Sequence, residues 1–207
     1  MRRYQWLLFD ADGTLFDFER AESAALRQVF QLIGTAFDPV YLTEYRRINQ
    51  TLWQEVEEGE VKPTSVKVRR FELLLNTIGM AYSPDALSAR YLECVAECSE
   101  LIQGAAEVLE ALHRKYQVAI LTNGFQVVQR GRPPRSTIRP YIAEIIISEE
   151  IGFAKPAKEF FDVALARLGH PSPQIMPAIT GIFDELHLGG IPPPDRMRWL
   201  PGSFPCR

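Results

Sequence analysis

The sequence has few cysteines, no long apolar run and no surplus of one charge. Cys94, Cys98 and Cys206 are odd in number and lack metal-ligand spacing, which excludes a disulfide framework and reads as reduced cytosolic thiols. No apolar stretch approaches the roughly 18–20 residues of a spanning helix, so no membrane segment is expected. Met1-Arg2-Arg3-Tyr4 is basic, but Asp10 cuts the following apolar run short. A secretory signal is therefore not expected, and a cytoplasmic location is. With 23 Lys and Arg against 26 Asp and Glu, the net charge of −3 gives no electrostatic ground for binding nucleic acid. Hydrophobic residues form 46% of the 207 positions, enough for a real core and too many for wholesale disorder.

What is present falls into three stretches. Trp6-Leu7-Leu8-Phe9 is a short apolar run stopped by Asp10-Ala11-Asp12-Gly13-Thr14, as a buried parallel strand opening into a loop would be. From residue 17 to about 100 strand signals are missing and helical spacing dominates. Ala21, Ala25, Val29 and Leu32 mark one helix. Asp38-Pro39 and Ser83-Pro84 each pair an N-cap with a proline suited to the first helical position. Tyr41, Leu42, Tyr45, Ile48, Leu52, Trp53 and Val56 follow the first of these, and Leu87, Tyr91, Leu92 and Val95 the second. Phe71, Leu74, Leu75 and Ile78 lie between, with Gly79 as a stop. Beyond residue 100, strand and helix alternate. Val108, Leu109 and Leu112 mark a helix. Val118 to Leu121 and Ile145 to Ile147 read as buried strands, and Phe160 to Leu168 as a helix stopped by Gly169. The alternation predicts an α/β fold with a doubly wound parallel, Rossmann-like sheet, interrupted by an all-helical insert.

Two stretches break this pattern. Gly131-Arg132-Pro133-Pro134-Arg135 interrupts a helix expected between two strands. Residues 171–207 hold 8 of the 15 prolines and can contribute little regular structure beyond a short strand within Ile175 to Phe183.

Asp10 and Asp12 stand at the carboxyl end of the first strand, where open α/β sheets bind ligands. Carboxylates so close repel unless a proton or cation relieves them, and Mg²⁺ prefers such hard oxygen donors. One carboxylate can attack phosphorus while the other handles the proton. Thr122, Asn123 and Gly124 end a second strand, where a hydroxyl and free backbone N–H groups suit phosphate oxygens. Lys155 precedes Pro156, which is suited to the first position of a helix and would place the lysine at that helix's start. Taken singly, each of these features also fits a solvated turn or a surface lysine.

Their order is more specific than the parts. Leu8-Phe9-Asp10-Ala11-Asp12-Gly13-Thr14-Leu15, Leu121-Thr122-Asn123-Gly124-Phe125 and Ser148 through Pro156 together resemble the haloacid dehalogenase-like hydrolase superfamily over about residues 4–170. The resemblance implies a core formed by residues 1–16 and 101–173, a helical cap over 17–100 and a Pro-rich tail over 174–207. It implies Asp10 as the nucleophile that becomes phosphorylated and Asp12 as general acid and base. The Asp10 side chain and the Asp12 carbonyl would be magnesium ligands. Thr122, Asn123 and Lys155 would bind the substrate phosphate, and Lys155 would balance charge on the nucleophile and the phosphate. An acid at Asp12 points away from halide displacement and toward a phosphatase or phosphomutase. The Thr122 to Phe125 and Ser148 to Gly152 segments look similar to those of bacterial nucleoside-monophosphate 5′-nucleotidases. The expected partner is a small phosphate ester.

The family's fourth motif, whose carboxylates complete the magnesium site, has no clear match. Asp184 and Glu185 are a faint imitation with different spacing. The abrupt change near residue 173 resembles out-of-frame translation, and Gly131 to Arg135 reads as a shorter event of that kind. A catalytically impaired relative, serving at most as a binding module, is the rival expectation.

Overall fold

The computed structural model describes residues 5–169 and 178–179. β1 (Trp6–Phe9) leads into four helices: α1 (Phe18–Leu32), α2 (Pro39–Glu57), α3 (Pro63–Ile78) and α4 (Pro84–Glu97). There follow α5 (Ala105–His113), β2 (Gln117–Thr122), α6 (Gln126–Gly131), two 3₁₀ turns at Pro133–Arg135 and Arg139–Tyr141, β3 (Glu144–Ile147), α7 (Ser148–Ile151), α8 (Lys158–Arg167) and β4 (Ala178–Ile179). The described strands form one parallel sheet in the order β3-β2-β1-β4. Trp6 to Phe9 face Gln117 to Ile120 in register, and Ala119 to Thr122 face Glu144 to Ile147.

The sheet is buried on both faces because alternate strand residues point to opposite sides. Leu7, Phe9, Val118, Ile120, Ile145 and Ile147 pack against Ala105, Leu109, Ile138 and Ile142. Trp6, Leu8, Ala119, Leu121 and Ile146 pack against Phe160, Ala164 and Leu168 on the other side. Each Val, Leu, Ile or Phe among them contributes about 1.5–3 kcal/mol by leaving water.

The helical block has its own core, built around Phe30, Tyr45, Leu52, Phe71, Leu74 and Tyr91. The proline starts hold at Pro39 and Pro84, where the Asp38 and Ser83 side chains accept from the Val40 and Ala86 amides at 2.9 and 3.3 Å. A third, Pro63, opens α3 without a side-chain cap. Gly79 closes α3 in the left-handed region at φ 67°, which glycine adopts without steric cost.

Two expectations need correction. Leu32 is exposed; Ala21, Ala25 and Val29 are buried as expected, and Leu26 and Phe30 complete the inner face of α1 beside them. Pro156 does not open a helix: α8 begins at Lys158 behind an Ala157 cap, and the Lys155–Pro156 peptide is cis. Gly131 to Arg135 does end α6, with Arg132 and Pro133 buried and Pro134 and Arg135 exposed. Arg132 is fully buried, and a Cβ at Gly131 would stand 2.9 Å from that of Ala96. The expected strand within Ile175 to Phe183 is represented by β4, paired to Leu8 and Phe9. Asp184, Glu185, Cys206 and all but Ala178 and Ile179 of the 174–207 tail lie outside the described residues.

Candidate active site

β1 ends at Phe9 and β2 at Thr122, so Asp10 and Thr122 emerge side by side at the sheet's carboxyl edge. Asp10 Oδ1 accepts the Ala11 amide at 2.8 Å and pairs with Lys155 Nζ at 2.9 Å. The same Nζ donates to the Leu121 carbonyl, also at 2.9 Å. One buried ammonium thus bridges a carboxylate after β1 and a carbonyl within β2. Dense surroundings push the Asp10 carboxyl above its ordinary range. The attraction and hydrogen bond of Lys155 oppose this, and neighbouring Asp12 adds to it.

Lys155 is held by its backbone. Asn123 Nδ2 donates to the Lys155 carbonyl at 2.8 Å, and the Lys155 amide donates to Asn123 Oδ1 at 2.7 Å. This reciprocal pair, across 32 residues of chain, fixes where the ammonium starts. The sequence pointed to the Asn123 backbone, not to its amide side chain. Gly124 also differs from expectation. Its N–H donates to Ser148 Oγ at 3.1 Å and so is taken up within the protein. Thr122 Oγ1 is the reverse case: it is buried and finds no hydrogen-bond partner among the described residues. A buried hydroxyl without a partner costs about 1–3 kcal/mol, and an incoming acceptor would remove that cost.

Asp12 sits two residues beyond Asp10, in a turn that Gly13 makes possible at φ 73°. Gln129 Nε2 donates to Asp12 Oδ2 at 2.7 Å, and Arg132 NH1 donates to Asp12 Oδ1. Neither partner was read from the sequence. A signal existed: Gln129 and Arg132 are three apart on the helix after Thr122-Asn123-Gly124, and so share a face. Gly124 belongs to this arrangement, since a Cβ there would meet Gln129 Nε2 at 2.8 Å.

The helical block reaches the site at several points. Trp53 and Phe125 rings lie 5.5 Å apart, and Lys67 Nζ sits 5.2 Å from the Phe125 centroid. Lys67 is also ion-paired with Glu149, whose other oxygen accepts the Gln126 amide at 2.7 Å. Glu57, at the end of α2, feels the attraction of Lys155, although partial burial still raises its carboxyl above the ordinary range.

Asp10, Asp12, Thr122, Asn123 and Lys155 therefore stand at one end of the sheet. Among the described residues no group of three or more His, Cys, Asp or Glu could hold a metal, and no helix is long and apolar enough to cross a membrane.

Residues 4–176 match the family model described as hydrolase, haloacid dehalogenase-like hydrolase. The chain is 35% identical to the HAD-hydrolase YfnB of Bacillus subtilis over 81% of its own length and 72% of YfnB. A crystal structure of YfnB, described as bound to magnesium, superposes with a TM-score of 0.81 at 34% identity, covering 86% of this chain and 80% of that one. Identity to the pyrimidine 5′-nucleotidase YjjG of Escherichia coli is 30%, over 91% of this chain and 82% of YjjG. To the pyrimidine 5′-nucleotidase PynA of Streptococcus pneumoniae it is 32%, over 77% and 68%.

Proposed function

This chain belongs to the haloacid dehalogenase-like hydrolases, and from that premise we propose that it hydrolyses small phosphate monoesters, nucleoside 5′-monophosphates foremost, through an aspartyl-phosphate on Asp10. The observation that carries the reading is the Asp10–Lys155 pair at 2.9 Å beside a buried Thr122 hydroxyl that has no hydrogen-bond partner among the described residues. Pyrimidine nucleotidases among its relatives support the choice of substrate.

In this reading Asp10 attacks phosphorus, and the ester oxygen leaves as it takes a proton from the Asp12 carboxyl. Asp12 then accepts a proton from the water that cleaves the acyl-phosphate. Thr122 Oγ1 donates to a phosphate oxygen, and Lys155 holds Asp10 in line while balancing its charge. Asn123 acts twice: its backbone N–H binds the phosphate, and its side chain keeps Lys155 in place. Positioning and electrostatics supply most of the rate in such transfers. The four-helix block acts as a cap over the core, with Trp53, Lys67 and Glu57 on the side facing the site.

The donors present suit magnesium. Asp10, whose carboxyl is already raised by burial, and the Asp12 carbonyl are hard oxygens, and Mg²⁺ needs only one or two carboxylates from the protein. When bound it would neutralise charge on Asp10 and the phosphate.

Phosphate release from a panel of pyrimidine and purine 5′-monophosphates, sugar phosphates and p-nitrophenyl phosphate tests the proposal, with magnesium or with chelator. Release that needs magnesium and disappears in Asp10→Asn is expected, with nucleotides preferred. Release from none of these esters, or full activity in Asp10→Asn, would refute it.

A further inference from the structure

Arg132 is the largest fully buried side chain among the described residues, and its interior position is costly. Its NH1 reaches Asp12, and its Nε donates to the Val95 carbonyl in α4 at 3.3 Å, while NH2 is buried without a partner among the described residues. Its Cζ lies 5.5 and 5.7 Å from the Phe16 and Phe18 rings. An apolar side chain would fill such a place at lower cost, so packing alone does not account for the guanidinium. What it adds is a fixed hold on one oxygen of Asp12, while Gln129 Nε2 holds the other at 2.7 Å. Two donors on two oxygens fix the plane of the carboxyl group as well as its position. Each oxygen keeps a second lone pair for proton exchange. Asp12 is also tied to the helical block, because Arg132 touches the chain where it enters the block, at Phe16 and Phe18, and where it leaves, at Val95.

We infer that Arg132, together with Gln129, is a positioning residue that orients the Asp12 carboxyl toward the leaving oxygen of the ester. The inference rests on the reading of Asp12 as the acid. As the bond between phosphorus and the ester oxygen breaks, its electron pair goes to that oxygen, which takes the Asp12 proton. Asp10 forms the new bond to phosphorus, and the alcohol departs.

A well-placed acid matters for an alkoxide leaving group and little for p-nitrophenolate, which leaves without a proton. The test compares kcat/KM, which reports the steps up to the first phosphoryl transfer. The substrates are p-nitrophenyl phosphate and the best alkyl ester of the panel above. General acid catalysis contributes about 10²–10⁴-fold. Arg132→Met and Gln129→Glu are expected to lose about 10²-fold on the alkyl ester and less than about tenfold on the aryl ester. Arg132→Lys, which keeps the charge without the planar fork, should recover part of the difference. Gln129→Glu is isosteric and carries the test where Arg132→Met does not fold. Asp12→Asn separates the two ideas. If it loses selectively on the alkyl ester while the Arg132 and Gln129 variants lose equally on both, the positioning role is overturned and the acid remains. If Asp12→Asn itself loses equally on both, the acid reading falls and the inference with it.

Discussion

In the helical block Arg70 is buried among the rings of Tyr45, Phe71, Tyr91 and Phe125, its Cζ 5.6, 5.3, 4.9 and 5.1 Å from their centroids. At the sheet's edge Lys155 is buried against a carboxylate and a carbonyl, each 2.9 Å away. Both side chains are cations withdrawn from water, but they are held differently. Ring faces are broad and weak, at about 0.5–2 kcal/mol each, and they leave orientation loose. Arg70 NH1 also donates to Asn49 Oδ1 at 3.1 Å and the guanidinium attracts the Glu22 carboxylate, while its Nε and NH2 find no hydrogen-bond partner among the described residues. Lys155 is aimed by a backbone clamp from Asn123 at one carboxylate. The difference teaches that buried charge in the block belongs to packing, whereas at the sheet's edge it is placed for chemistry.

That contrast can be broken or sharpened by mutation. Asp10→Asn should remove turnover entirely while leaving the fold intact, as measured by phosphate release alongside thermal unfolding. Comparable loss from an interior block variant that folds would erase the distinction. Phe71→Ala, inside the block, should cost about 3–5 kcal/mol by leaving a cavity among Tyr45, Tyr91 and Arg70. Denaturant unfolding reads this, and helix should be lost before the parallel sheet. Asn123→Ala should lower kcat/KM by about 10–100-fold, because two hydrogen bonds that aim Lys155 disappear. Its stability should change much less than that of Phe71→Ala.

Lys67→Met and Glu149→Gln test the ion pair that links α3 to α7. A double-mutant cycle should give a coupling of about 1 kcal/mol or less, seen in KM more than in kcat. The smallest effect concerns pH. Glu22 in α1 pairs with Arg46 at 2.6 Å, yet burial outweighs that partner and raises its carboxyl above the ordinary range. An acid whose folded value is raised carries no penalty while protonated in both states. It destabilises the fold as pH rises from the unfolded carboxyl value through the folded one. The melting temperature of the natural protein relative to Glu22→Gln should therefore be higher near pH 4 than at pH 7, by no more than about 2–4 °C.

Local patterns were legible because their causes are local. An apolar run of four residues closed by Asp marked β1, one of three closed by Ser marked β3, and proline behind Asp38 or Ser83 marked helix starts. Leu32 misled because helical spacing defines a stripe without saying which of its members meet the core. Pro156 misled because Lys155-Pro156 is a cis turn, and a proline looks the same in sequence whether it opens a helix or precedes one. Arg132 was obscured by its setting in Gly131-Arg132-Pro133-Pro134-Arg135, which reads as a broken helix.

By itself, the sequence determined the alternation of strands and helices, the helical insert and the identity of the acidic, hydroxyl and cationic groups at strand ends. These follow from hydrophobic period, capping and turn chemistry, all of which act within a few residues. Tertiary structure alone decided that Arg132 and Gln129 hold Asp12 from 120 and 117 residues away, and that Asn123 grips the Lys155 backbone. It also decided that the Gly124 amide is taken up by Ser148 while the Thr122 hydroxyl finds no partner among the described residues. Such pairings depend on strand register and on how α6 packs over the sheet's edge. A hydrogen bond forms only where that packing brings donor and acceptor within about 3 Å.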